Sequence, residues 1–210
     1  MKITKIEPSK KKGFKRIYID GEFFMSVADE TVARRLLYEN KEIGEDEIPE
    51  LSKSVLVRRA RERLLYALDR RLHSEKELRE KLKRDYPPDI IDAAINELDS
   101  LGLIDDEAFA RAFCEHRKEA LKKGPYAIRQ ELFLKGVSRD IIDAVLEECF
   151  CDEDEEYSSA LAVARKYQKD LETPKGRQRL FAALTRKGFS YAVIKRVMHS
   201  LCDESLEDMD

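Results

Sequence analysis

Several side chains in this sequence are of types that could do chemistry. Asp105 and Asp106 stand side by side, and adjacent carboxylates can bind a metal or act as an acid and base. They follow Gly102 and open a helical pattern, so they are better read as an N-cap that meets free N–H groups and the positive end of the helix dipole. The acidic run Asp152 to Glu156 has the same expected role at the next long helix. Cys149 and Cys151 form one pair with no matching second pair, a poor metal site, and read as buried thiols. His73, His116 and His199 each lack a second histidine or cysteine at ligand spacing and are read as ordinary surface or partly buried residues. Only eight glycines occur, none in a phosphate-cradling loop, and no serine sits in a nucleophile elbow. The expectation is a non-enzyme with no cofactor, no metal and no catalytic residue.

What remains is positive charge. The net charge of −3 conceals its distribution. Residues 1–50 hold 10 bases and 11 acids, 51–104 hold 12 and 10, and 105–150 hold 8 and 10. Residues 151–156 then hold five acids, 157–202 hold 10 bases against two acids, and 203–210 hold five acids. A basic C-terminal module bracketed by acidic clusters suits a polyanion or an acidic protein surface, whereas the plainer reading is a solvated face with local pairing. Its candidate contact residues are Arg165, Lys169, Lys175, Arg177, Arg179, Arg186, Lys187, Lys195 and Arg196, with Lys166 close by. Phe181, Phe189 and Tyr191 interleave with them, and helical spacing assigns these aromatics to the core. Arg58, Arg59, Arg61 and Arg63 form a secondary, partly neutralised strip.

The elements that must position these residues are mostly helices. Ile91, Ala94, Ile95 and Leu98 occupy offsets that share one helix face. Ile142, Val145, Leu146 and Cys149 do the same, and so do Ile194, Val197, Met198 and Leu201. A shorter helix with an apolar i, i+4 pair precedes each set: Leu78 and Leu82, Ile128 and Leu132, Leu180 and Leu184. The copies recur at a near-constant spacing of about fifty residues, the signature of a repeat array. Ser74 with Glu77 forms a capping box, Ser138 and Ser190 precede the third helices, and Pro125 and Pro174 stand at first helical positions. Long helices are expected at roughly 54–71, 106–122 and 155–171, the first with a stripe of Leu56, Ala60, Leu64, Ala67 and Leu68.

Upstream, Phe14 to Ile19 and Phe23 to Val27 flank Asp20-Gly21, a favoured hairpin turn, so a small sheet is expected. A helix over 28–38 and an acidic, turn-rich linker over 43–49 complete the head. The expected organisation is a β-containing head at 1–50, three-helix repeats at 51–104, 105–153 and 154–203, and an acidic tail at 204–210. The fold class is therefore mainly α, with tandem three-helix repeats stacked into an elongated, curved array because a trio of about fifty residues can barely bury its own core. Four cysteines without an apolar leader, and no apolar run near the roughly 18 residues that span a bilayer, point to a cytoplasmic chain with no membrane contact.

The stretch from Leu101 to Ala110, preceded by Ser74 to Leu82, resembles the RecX family of recombination regulators. Lys187-Gly188-Phe189-Ser190 followed by Val193-Ile194 is similar to that family's recurring helix junction, and Lys135 to Ser138 is a second copy. The first repeat departs from this pattern, having Asp85-Tyr86-Pro87-Pro88 where the others have Lys-Gly. The resemblance implies a molecule lying in the groove of the RecA filament and modulating it, usually by inhibiting its ATPase, strand-exchange and coprotease activities. A monomer is expected, with the recombinase filament as partner and single- or double-stranded DNA as a further one. Two rivals stand beside this reading: a direct nucleic-acid binder whose last repeat acts as a helix-turn-helix, and a general helical interaction scaffold.

Overall fold

The computed structural model describes the backbone of residues 1–207 and the side chains of these except 153, 169, 170 and 202–207. The chain divides into two compact units, Met1–Arg63 with Asp85–Ala94, and Leu64–Arg84 with Ile95 onward.

The first unit begins with strands β1 (Ile3–Pro8), β2 (Phe14–Ile19) and β3 (Glu22–Ala28) in an antiparallel sheet of order β1-β2-β3. Asp20 and Gly21 both take positive φ, 51° and 90°, which matches the right-handed twist of the flanking strands. Helix α1 (Asp29–Arg34) is shorter than the expected 28–38. Leu36 turns to φ 47° and ends it, so that Leu37 can fold back into the core. The segment 43–49 is not a linker. Ile43 is buried with Ile3, Ile17, Val27 and Leu37, and its N–H donates to the Met1 carbonyl. Helix α2 (Glu47–Leu68) already starts there, with Pro49 in its first turn where no N–H is missed and with Glu47 and Glu50 at the positive dipole end. Leu51 and Val55 of α2 close the sheet's apolar face.

Helices α2, α3 (Glu75–Leu82) and α4 (Pro88–Ser100) form the first trio in sequence. Helices α5 (Asp106–Glu119), α6 (Pro125–Leu134) and α7 (Arg139–Cys149) form the second. The third is α8 (Glu153–Ala164), α9 (Pro174–Lys187) and α10 (Tyr191–Glu207). The long helix expected over 155–171 is α-helical only to Ala164 and continues as 3-10 turns over Arg165–Asp170, which bring Leu171 into the core. Every apolar position singled out in the short helices is fully buried, and the medium helices bury theirs apart from half-buried Cys149 and Met198.

Within the second unit the short helices meet end to end. Gly124, which caps α6, donates its N–H to the Lys187 carbonyl at 2.8 Å, and Tyr126 donates to the Gly188 carbonyl at 3.0 Å. Free groups at the start of one helix are thus met by carbonyls at the end of another. A Cβ on Gly124 would lie 2.4 Å from the Gly188 oxygen, and one on Gly188 2.2 Å from the Ala127 nitrogen. The corresponding contact between α3 and α6 is made by side chains: Ser74 Oγ donates to the Lys135 carbonyl at 2.7 Å, and Lys76 Nζ to the Leu134 carbonyl at 3.0 Å.

Candidate basic interface

The third trio is held by two kinds of contact that determine which of its charges face water. Apolar residues of α8, α9 and α10, among them Ala160, Leu180, Leu184, Ile194 and Val197, form its core. Two carboxylates, exposed Asp152 and buried Glu156, fix the helix starts around it. Asp152 caps α8, its Oδ1 accepting from the Asp154 N–H at 2.8 Å. Glu156 does not share that role. It is buried, and its carboxylate accepts from the Ser190 N–H at 2.7 Å and the Ser190 hydroxyl at 3.3 Å, while Ser190 Oγ accepts from the Val193 N–H to cap α10.

On this frame two of the basic residues brace the fold. Arg196 pairs with Asp154 at 2.8 Å and lies 4.2 Å over the Tyr157 ring, so it braces α10 against α8. Half-buried Lys187 donates to the Leu121 carbonyl at the junction with the second trio. Arg165, Lys175, Arg177, Arg179, Arg186 and Lys195 are exposed, as is Lys166. Arg165 lies on the 3-10 turns; the Lys169 side chain lies outside the described residues, as do the side chains of the acidic tail and of Cys202.

The aromatic residues divide in a way that spacing did not reveal. Phe189 is buried, but Phe181 and Tyr191 are 41% and 70% exposed. The buried face of α9 is set by Leu180, Ala183 and Leu184, which turns Phe181 away. On α10 the inward positions are Val193, Ile194 and Val197, which leaves Tyr191 outside as the first helical residue. The two rings meet edge to face, centroids 6.5 Å apart and planes at 75°.

The secondary strip on α2 is largely met within its own unit. Arg58 pairs with Glu30 at 3.0 Å and Glu62 at 3.2 Å, and Arg63 pairs with Asp85. Arg59 is exposed and Arg61 half-buried.

The remaining candidates for chemistry have structural partners. Asp105 caps α5 by accepting from the Ala108 N–H at 2.8 Å. Asp106 turns instead to α3 and accepts from the Glu75 N–H at 2.9 Å. Burial pushes its pKa up, with the Glu75 N–H opposing. His73 is buried, 2.9 Å from the Arg71 carbonyl through Nδ1, and burial pushes its pKa down, so the ring stays neutral at pH 7. His116 and His199 are exposed. Cys114 is buried and Cys149 half-buried, but Cys151 is exposed, against the buried-thiol expectation, because α7 ends at Cys149. Among the described residues no group of three or more His, Cys, Asp or Glu side chains is placed to hold a metal ion.

Sequence comparison extends over nearly the whole chain. Family models match residues 1–44 as the regulatory protein RecX N-terminal domain and residues 60–98, 105–146 and 153–198 as the first, second and third three-helix domains of RecX. The regulatory protein RecX of Clostridioides difficile is 32% identical over 203 residues, covering 95% of both chains. The chain belongs to the RecX family. The regulatory protein RecX of Listeria welshimeri is likewise 32% identical, over 93% of this chain and 74% of its own. A crystal structure of regulatory protein RecX superposes with a TM-score of 0.77 at 30% identity, covering 93% of this chain and 98% of that one. RecX from Lactobacillus salivarius, at 24% identity and a TM-score of 0.62 over 70% of this chain and 97% of its own, shows the same fold. All nine candidate contact residues of the basic module lie within the match to the third RecX three-helix domain. Arg58 and Arg59 precede the first three-helix match, whereas Arg61 and Arg63 lie inside it. In RecX terms the basic module is one whole domain of a family whose members are named regulatory proteins.

Proposed function

We propose that this chain is a non-enzymatic regulator of a RecA-type recombinase. It lies as a cytoplasmic monomer in the groove of the recombinase–DNA filament and inhibits its ATPase, strand-exchange and coprotease activities. One observation carries the reading: in a member of the RecX regulatory family, residues 157–202 of the third repeat hold ten bases against two acids, and Arg165, Lys175, Arg177, Arg179, Arg186 and Lys195 are exposed there. A filament groove with acidic or phosphate-lined walls attracts such a face, and contacts from the three repeats, taken at 51–104, 105–153 and 154–203, add because binding the first holds the others close.

The test is the recombinase ATPase on single-stranded DNA with substoichiometric amounts of the full chain. Inhibition is expected, and reversing Arg177, Arg186 and Lys195 together to Glu should abolish it while leaving the unfolding midpoint in place. Lys187 is unsuitable for this variant because its ammonium serves the Leu121 carbonyl. Undiminished inhibition by the triple variant would move the contact surface elsewhere. No effect of the parent chain on turnover would sink the regulatory reading itself.

A further inference from the structure

The second and third repeats share a buried scaffold, but the faces between their short and medium helices differ in chemistry. In the second, Arg129 of α6 forms an ion pair with Asp143 of α7, and the Arg139 guanidinium lies 6.0 Å from the Phe133 ring centroid. Charge and ring are answered from within the chain. Aligning Ile128 and Leu132 with Leu180 and Leu184, and Ile142 with Ile194, puts Phe181 in the place of Arg129, Tyr191 in that of Arg139 and Lys195 in that of Asp143. The ion pair gives way to Phe181 and Lys195, and Arg139 to the ring of Tyr191.

The rings are 41% and 70% exposed, and their edge-to-face contact covers only one face of one ring. Arg177 stands one helical turn before Phe181, and Lys195 one turn after Tyr191, spacings that put side chains on the same face about 5–6 Å apart at Cβ. Both cations are exposed, and neither meets a carboxylate among the described residues. Rings with free π faces between uncompensated cations fit a ligand that is itself flat, aromatic and linked by anions. An acidic peptide would use the cations but leave the ring faces unused. A duplex would offer phosphates but keep its bases stacked on each other.

We propose that Phe181 and Tyr191, flanked by Arg177 and Lys195, form a stacking site for an unpaired base of single-stranded DNA. The choice of DNA over RNA rests on the recombinase reading above; the stacking chemistry does not.

The test is a titration of the full chain into a labelled homopyrimidine DNA strand, read by anisotropy across a salt series with no recombinase present. Joint Phe181→Ala and Tyr191→Ala should weaken binding about tenfold, with the salt slope unchanged. Joint Arg177→Gln and Lys195→Gln should instead lower that slope by about 1.4, two phosphates' worth on a single strand. Tyr191→Phe should keep the affinity. Because the chain has no tryptophan, stacking is also visible as quenching of tyrosine emission, which Tyr191→Phe should reduce. Both rings lie at the surface, so the double-alanine variant should stay folded with a small drop in its unfolding midpoint. Unchanged affinity of the double-alanine variant overturns the proposal, as does an equal loss on a duplex of the same sequence. A tighter complex with the matching RNA overturns the assignment to DNA. Since no recombinase enters the assay, failure of the ATPase test leaves this result standing, and the reverse also holds.

Discussion

The second and third repeats were built on one plan and finished for different surroundings. Both bury an i, i+4 pair on the short helix and an apolar stripe on the medium one. Both start the medium helix with a serine whose Oγ accepts an N–H three residues on. The second then answers its surface charges internally: Arg111 with Glu107 and Glu148, Arg117 with Glu131, Arg129 with Asp143. The third has few acids to answer with, and it directs two of them, Asp154 and Glu156, to its own helix starts and braces. Scaffold and surface are therefore separable in this fold, which allows a repeat to change its partner without changing its core.

The strongest break in that comparison should come where the two repeats touch. Gly188 ends α9 at φ 82°, and an added Cβ would strike the Ala127 backbone. Gly188→Ala combines left-handed strain of about 1–2 kcal/mol with overpacking of about 1–3 kcal/mol, so a loss of roughly 2–5 kcal/mol is expected in urea unfolding. Gly102, at φ 65° with nothing within 4 Å of its Cβ position, is the control. Gly102→Ala should cost only about 1–2 kcal/mol, the strain alone. Equal costs at the two positions would mean that the α6–α9 contact contributes nothing.

Next in size is the polar brace peculiar to the third repeat. Glu156→Ala leaves the Ser190 N–H and hydroxyl without their acceptor in a buried setting, which should cost about 1–3 kcal/mol in thermal or urea unfolding. Asp152→Ala, at an exposed N-cap, should cost about 1 kcal/mol.

A pH titration of stability separates two carboxylates near the α3–α6 junction by sign. Burial pushes the pKa of Glu77 up, but hydrogen bonds from Arg71 and Lys135 outweigh it and hold the group below the usual range. Its stabilisation is therefore complete above the ordinary carboxylate pKa and is lost as pH falls through the lowered folded value. For Asp106, with a raised folded pKa, the opposite holds: its charged form costs stability at neutral pH, and that cost is relieved as pH falls through the raised value. Glu77→Gln should flatten the acid limb of the stability profile, and Asp106→Asn should steepen it. The two changes moving the limb the same way would contradict this account.

The buried half of this architecture was legible in the residues. Apolar offsets such as Ile142, Val145 and Leu146 located the medium helices, because burial repeats with the helix turn and tolerates little else. Ser74, Ser138 and Ser190 announced helix starts because a cap is a local, short-range bond. What escaped was non-local. Ile43 looked like part of a linker since nothing nearby in sequence shows that it joins Ile3 and Leu37. Asp106 and Glu156 sit where a cap is expected, yet each serves a helix more than thirty residues away. Phe181 follows Leu180 directly, so an apolar period alone could not assign it to the outside. Comparing Arg129 with Phe181 across the repeats would have given the signal, since an ion-pair position that turns aromatic is not a core position.

The smallest expected effect on stability is the most direct test of the difference between the repeats. Arg129→Phe with Asp143→Lys writes the third repeat's outer residues onto the second. The exposed ion pair it removes is worth about 0–1 kcal/mol, so unfolding should barely shift. If stacking chemistry rather than net charge attracts single-stranded DNA, this pair should strengthen binding several-fold. Arg129→Gln with Asp143→Lys supplies the lysine without the ring and should recover only the salt-dependent part of that gain. Phe181→Arg with Lys195→Asp, the reverse exchange, should close the third repeat's face and weaken the same complex. Gain at one repeat and loss at the other, with both cores intact, is the outcome a transferable surface requires. A gain of equal size from both versions of the graft would show that charge alone is being read.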